Sequence, residues 1–120
     1  YLGNNIYDAA VLWRPNSYIS GSYMCLSFQF RKHLSLGRGG AILLDNKEDR
    51  DALIKLGYDG RQRDCSWMDQ DINSIGYHYY MTPETAQLGL NKLPKAIETT
   101  PKVWTWQDYP NIYNLLKNSV

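Results

Sequence analysis

Apolar positions in the first half of the chain form short runs that predict β-strands. The runs cover residues 5–10, 23–30 and 39–44, and the first presents Asp8 near its carboxyl end. Residues 14–21 contain Pro, Asn, Ser and Gly, which predict a loop between the first two runs. The pattern therefore predicts three strands, the first two joined by an irregular connection.

Helical spacing of apolar residues follows the third run. Asp45 or Asn46 can cap a helix that ends at Gly57, because acidic residues occupy the first turn and leucines recur three residues apart. A second helix is predicted from Thr82 as N-cap, with Pro83 at the first helical position. Strands that alternate with helices predict an α/β fold.

In two segments the apolar residues show no clear helical or strand periodicity. Residues 58–80 are polar and aromatic and predict a long structured loop. Residues 94–120 predict an irregular tail, with a last helical turn at 112–117. A sheet of three strands is small and has exposed edges, so we expect these edges to need partners.

Composition narrows the classes of partner. The formal charge is +1, and no basic run with interleaved aromatics is present, which disfavours nucleic acid and anionic membrane. Two cysteines, Cys25 and Cys65, are too few for a metal cage and favour thiols in a reducing compartment, so a cytoplasmic location is predicted. No apolar run reaches the roughly 20 residues that cross a bilayer. The start at Tyr1 predicts a piece of a longer protein.

The segment 27–41 contains the best candidate for chemistry. Lys32 is predicted to end an apolar strand and precedes a Gly-rich turn, which lets another group approach the backbone. This position suits an amine that attacks a carbonyl. From spacing alone, however, a surface lysine at a strand end is the more common explanation.

Four segments in order change this balance. They are Asp8-Ala9-Ala10, then Ser27-Phe28 with Lys32 and Gly39-Gly40-Ala41, then the loop Gly76 to Thr82, and then Ala86-Gln87-Leu88-Gly89-Leu90 within the second predicted helix. Together they resemble the DegT/DnrJ/EryC1/StrS family of sugar aminotransferases, which depend on pyridoxal 5'-phosphate and have the type I aspartate-aminotransferase fold.

The resemblance implies a fold and a cofactor site. Residues 1–93 would be a partial large domain, an incomplete sheet with flanking helices, and residues 94–120 a tail toward a missing small domain. Lys32 would hold pyridoxal 5'-phosphate covalently, Ser27 would donate to its phosphate, and Asp8 would pair with its pyridine nitrogen.

The resemblance also implies a reaction and partners. The substrate would be a nucleotide-linked keto-sugar and the amino donor glutamate. His78 and Tyr80 lie in a loop that in this family reaches across a dimer interface, so a homodimer mate, or the missing half of the enzyme, is the expected protein partner.

Several residues depart from the family pattern and keep alternatives open. Val11 stands where His or Gln is usual, His78 replaces Asn, and Tyr80 replaces Arg. These departures favour a non-catalytic remnant that serves as a binding or oligomerisation module, and we expect the chain alone to lack a complete active site. A sugar dehydratase relative, with histidine in place of the lysine, is disfavoured by Lys32. His33 is expected to be a packing or hydrogen-bonding residue.

Overall fold

Three short strands form one mixed sheet. In the computed structural model, which describes residues 1–117, the strands are β1 (Ile6–Asp8), β2 (Tyr23–Ser27) and β3 (Gly40–Leu43). Their order in the sheet is β1-β2-β3; β1 and β2 are parallel, and β2 and β3 are antiparallel. The predicted α/β fold with an incomplete sheet is confirmed.

The register brings the carboxyl ends of β1 and β2 to the same edge. Asp8 pairs with Cys25, and the amide of Ala9 donates to the Cys25 carbonyl at 3.0 Å. Ser27, the last residue of β2, pairs with Gly40 at the start of β3. The loop 28–39 therefore leaves the sheet next to the end of β1.

Helices begin where local chemistry predicts. Helix α1 (Lys47–Gly57) is capped by the Asn46 side chain, which accepts from the Asp49 amide at 3.0 Å. Helix α2 (Pro83–Glu98) is capped by Thr82, whose hydroxyl accepts from the Thr85 amide at 3.3 Å. The last helix, α3 (Tyr113–Lys117), is short, and single 3₁₀ turns occur at Trp67–Asp69 and Trp106–Asp108. No helix in this described part of the chain is long and apolar enough to span a membrane.

The two long helices lie on opposite faces of the sheet. Successive side chains of β2 alternate between the faces. Tyr23 points toward α1, and its hydroxyl donates to the Asp49 carboxylate at 2.6 Å. Met24, which is 2% exposed, lines the opposite face together with Ile97 of α2.

The apolar core is small for a chain of this length. Its buried hydrophobic residues are Ala9, Met24, Leu34, Leu36 and Ala96. The radius of gyration is 17.6 Å, whereas a compact domain of this size has about 14 Å. Large apolar side chains such as Ile42 and Leu43 on β3 are 45% and 39% exposed. These side chains form an accessible apolar surface on the sheet.

Two predicted boundaries are wrong. Strand β2 ends at Ser27 rather than Phe30. Beyond Ser27 the amides of Phe28 and Phe30 still donate to the Gly39 and Gly37 carbonyls, but the chain then turns, and the Lys32 amide donates to the Gln29 carbonyl at 2.8 Å. Lys32 thus lies in a turn after the strand and not at its end.

Helix α2 also continues past the predicted stop at Pro94, so the tail is not irregular from residue 94. Pro94 removes one backbone bond, but it lies on an exposed side of the helix, where water can satisfy the freed carbonyl. Ala96, two residues later, packs against Leu34 and Leu36 and holds the last turn in place. The division into a large domain and a tail toward a small domain stays a prediction.

A close backbone contact closes the long loop that follows α1. Tyr58 and His78 form an isolated bridge, and the Asp59 amide donates to the Tyr77 carbonyl at 3.0 Å. A Cβ added to Gly76 would overlap the backbone of Asp59 and Gly60. Glycine is required at this neck because no side chain fits between the two backbone segments.

Replacing Gly76 by Ala is expected to destabilise the protein by about 1–3 kcal/mol, since the neck must open to admit the methyl group. Chemical denaturation would measure the change. Gly57→Ala is the matched control, because its added Cβ would meet only the Tyr79 Cβ at 3.9 Å, an ordinary contact. Equal stabilities of the two variants would contradict a closed neck.

Candidate cofactor site beside Lys32

A cavity of about 170 Å³ opens at the edge of the sheet where β1 and β2 both end. Three parts of the chain form its wall: the segment after β1, the turn after β2, and a segment beyond α2. The lining residues are Ala9, Ala10, Val11, Leu12, Trp13, Leu26, Ser27, Arg31, Lys32, His33, Leu34, Pro101, Lys102 and Trp104.

Lys32 is half-buried in this wall. The Gln29–Lys32 turn fixes its backbone, and its ammonium Nζ lies 5.4 Å from the centre of the Trp104 ring. This distance is within the range of about 6 Å over which a cation is attracted to an aromatic face. The amine is therefore held at the cavity and in contact with a residue far away in the sequence.

Ser27 lies in the same wall and is also half-buried. Its Oγ accepts a hydrogen bond from the Gln29 amide at 3.3 Å. A hydroxyl that accepts in this way still has its own hydrogen to donate. Ser27 could therefore donate to an anionic group in the cavity, as its predicted role requires.

Asp8 is placed differently. Its side chain is exposed, and Oδ1 accepts from the Ala10 amide at 2.9 Å. Ala9 and Ala10 line the cavity, whereas the Asp8 carboxylate is not part of the lining. The structure thus brings Ser27 and Lys32 together and leaves Asp8 beside them, and the role of Asp8 stays a prediction.

His33 has the packing and hydrogen-bonding role that its position predicts. Its Nε2 lies 2.7 Å from the Ala96 carbonyl oxygen, which can only accept, so Nε2 is the donor. The ring packs on Trp13 with 5.2 Å between centroids. His33 therefore fastens the Lys32 turn to helix α2. Val11 lines the same cavity and is 41% exposed; it supplies no polar group where the family usually has one.

Lys102 and Trp104 are cavity residues that the sequence did not indicate. Lys102 Nζ lies 4.3 Å from the Trp104 ring centre and also pairs with the Asp108 carboxylate. That ion pair, together with the Thr105 amide, lowers the pKa of Asp108 below its usual value of 3.8. No local pattern marks these residues, because they reach Lys32 only through the path of the chain after α2.

His78 and Tyr80 form a second cluster, which does not line the Lys32 cavity. Their rings lie 4.2 Å apart, and Tyr80 also packs on Tyr58 at 4.7 Å. His78 Nδ1 is 3.3 Å from the Asp59 carboxylate, which Arg61 contacts at 2.6 Å from its other side. The predicted role of His78 and Tyr80 at a neighbouring subunit stays a prediction.

The cavity residues fit an aldehyde that carries a phosphate. Lys32 supplies an amine, Ser27 a hydroxyl donor, and Arg31 a positive charge. Arg is well suited to phosphate oxygens because its planar donors can bind two of them at once. The volume of about 170 Å³ lies below the roughly 300 Å³ at which sites that enclose a drug-sized ligand begin. The residue types fit pyridoxal 5'-phosphate, although the space as it stands encloses only part of a ligand.

An α/β fold with a lysine in a cavity at the carboxyl ends of its parallel strands is consistent with an enzyme that holds its cofactor on that lysine. Comparison with known sequences identifies the family. Residues 19–105 match the DegT/DnrJ/EryC1/StrS aminotransferase family, and the chain belongs to this family, whose members depend on pyridoxal phosphate. Lys32, Ser27, His78 and Tyr80 lie inside the matched range, and Asp8 lies before it.

A relative in Methanocaldococcus jannaschii, described as the uncharacterized protein MJ1066, is similar to part of this chain. The two are 32% identical over an alignment of 84 positions, which covers 63% of this chain and 22% of the relative. The chain therefore spans about a fifth of the length of the curated relative that it matches.

The Asp59 cluster generates a prediction of pH dependence. A hydrogen bond from Arg61, and next the charge of His78, lower the pKa of Asp59 below its usual value of 3.8. A carboxyl with a depressed pKa in the folded state adds stability above its unfolded pKa, and this stability is lost as the pH falls through the folded value. We expect the urea concentration at the midpoint of unfolding to decrease as the pH is lowered below about 4, and we expect Asp59→Asn to make this decrease smaller.

A double-mutant cycle gives the control. In an Arg61→Gln background the main cause of the shift is absent, so Asp59→Asn should change the pH profile less than it does in the wild-type chain. Equal effects of Asp59→Asn in both backgrounds would show that Arg61 is not the cause.

Proposed function

We propose that this chain is part of a pyridoxal-phosphate-dependent aminotransferase that acts on a nucleotide-linked keto-sugar with glutamate as amino donor. The observation that carries the proposal is the single cavity that contains both Ser27 and Lys32, at the edge where β1 and β2 end. Membership of the aminotransferase family supports the reaction class. The sugar substrate and the donor follow from the family resemblance alone.

Each residue has a distinct role in this proposal. The Lys32 amine would hold the cofactor through its aldehyde, with loss of water, and would then be placed to carry protons. Ser27 would donate to the phosphate, and Arg31 would add positive charge around it. When bound, the cofactor supplies an electron sink for the carbanion formed in transamination. Asp8 would keep the pyridine nitrogen protonated through Oδ2, since only Oδ1 accepts from the Ala10 amide.

His78 and Tyr80 are proposed to act at the site of a second copy. Both belong to the loop whose neck Gly60 and Gly76 close, and neither lines the Lys32 cavity of the same chain. Tyr79, beside them, is 78% exposed. An exposed aromatic segment on a fixed loop suits contact with a neighbouring subunit.

A second candidate function is a non-catalytic binding or oligomerisation module derived from the same fold. Two observations favour it: the Asp8 side chain is exposed and does not line the cavity, and Val11 offers the cavity no polar group. The exposed apolar side chains of β3 would then serve the contact with another chain.

The first proposal predicts selective capture of pyridoxal 5'-phosphate by Lys32. The purified protein would be incubated with limiting cofactor, reduced with borohydride and digested. Mass spectrometry should then find the reduced adduct mainly on the Lys32 peptide, because an amine in a cavity with phosphate donors binds the aldehyde more tightly than a solvated lysine does.

Lys32→Ala should abolish this selective label, and Lys47→Ala, which alters a lysine side chain that is 76% exposed, should preserve it. Label spread evenly over the exposed lysines, or equal labelling of the Lys32→Ala protein, would refute the cofactor role and leave the module as the better explanation.

Self-association is a further prediction, common to both candidates. The unpaired edges of β1 and β3 and the exposed apolar surface predict that the chain associates at high concentration. Analytical ultracentrifugation across a concentration series would measure this. A strict monomer throughout the series would contradict the interface argument but would not affect the cofactor test.

A further inference from the structure

The chain beyond α2 forms part of the wall of the Lys32 cavity. We call residues 100–109 the strap. Pro101, Lys102 and Trp104 of the strap line the cavity, together with the turn that holds Lys32. In the sequence, the strap follows Lys32 by some seventy residues. Their contact is therefore made by the fold and not by local sequence.

Trp104 is the central contact between the strap and the cavity. Its indole ring lies 5.4 Å from Lys32 Nζ and 4.3 Å from Lys102 Nζ, so two ammonium groups share one aromatic ring. Trp104 is half-buried, whereas Trp106, two residues later, is 82% exposed. Only one of these two tryptophans thus covers the lysine.

The strap is braced within itself. Asp108 accepts from the Thr105 amide at 2.8 Å and pairs with Lys102, and the Trp104 and Tyr109 rings lie 5.9 Å apart. Within the described residues, the backbone hydrogen bonds found in the strap join strap residues to one another, as from the Asp108 amide to the Thr105 carbonyl. A segment with internal bracing and side-chain contacts to the body can move without breaking a sheet or a helix.

We propose that the strap is a closing element that shields the Lys32 amine, and that the Trp104 side chain provides the shielding contact. Trp104 occupies space beside the amine that a ligand would need, and the remaining cavity is only about 170 Å³. A ligand that reacts with Lys32 has to displace Trp104 first. The shielding of the amine holds for any reagent, whereas the consequence for cofactor entry rests on the proposed function.

The test compares the reactivity of Lys32 in two tryptophan variants. Acetic anhydride transfers an acetyl group to a free amine, with loss of acetate and a proton, and site-resolved mass spectrometry gives the rate at each lysine. Lys47, whose side chain is 76% exposed, provides the internal reference. Trp104→Ala is expected to raise the Lys32-to-Lys47 rate ratio several-fold, because it removes both the cover and the cation–π contact.

Trp106→Ala is the matched control and should leave the ratio unchanged. Trp104→Phe keeps an aromatic ring beside Lys32 and should keep most of the shielding, which also provides a test if Trp104→Ala unfolds. An unchanged ratio in Trp104→Ala with a native circular dichroism spectrum would overturn the proposal. So would a Trp104→Phe ratio as high as that of free lysine in the unfolded chain.

A parallel arm uses pyridoxal 5'-phosphate with borohydride in place of the anhydride. Faster capture at Lys32 in Trp104→Ala than in the wild-type chain would support displacement of the strap by the cofactor. If the acetylation ratio rises but no variant captures the cofactor at Lys32, the shielding role of the strap is supported and the proposed function is refuted. If the cofactor is captured but the acetylation ratio stays constant, the proposed function is supported and the shielding role of the strap is refuted.

Discussion

Parallel pairing of β1 with β2 is the constraint on which the candidate site depends. Because parallel strands end at the same edge, the register of Asp8 with Cys25 brings the segment after β1 beside the segment after β2. Ser27 and the Lys32 turn then share a cavity with Ala9 and Ala10. An antiparallel pair would send these two segments to opposite edges, and the predicted residues could not meet. This arrangement follows the general rule that ligands bind outside the carboxyl ends of parallel strands.

The same sheet also limits how much apolar surface the described residues bury. The buried core has few members, and apolar side chains of β3 such as Ile42 remain accessible. Burial of such apolar surface in a protein interior normally stabilises the fold by about 25 cal/mol for each Å² removed from water. A sheet of only three strands therefore leaves apolar surface accessible, which accords with the self-association proposed for this chain.

Sequence reasoning succeeded where the determining interactions are local. The caps Asn46 and Thr82 act on amides three residues away, and the three strands follow from short apolar runs. It failed where packing decided the outcome: α2 passes through Pro94 because Ala96 enters the core. The cavity was predicted only in part for the same reason. Ser27 and Lys32 lie close in sequence and could be paired by family resemblance, whereas Lys102 and Trp104 reach the cavity through a long-range path that no short pattern records.

The surroundings of Lys32 also bear on how a reactive lysine can be kept in a partial fold. An exposed amine next to an open sheet edge would react with any small aldehyde. Here His33 fastens the turn to α2, and Trp104 covers the amine from the other side. Both contacts come from the chain after the predicted catalytic segment, and neither uses the bonds that hold the sheet. The scaffold that positions the lysine and the contact that covers it are therefore separable, so evolution or mutation can change access to Lys32 without changing its position.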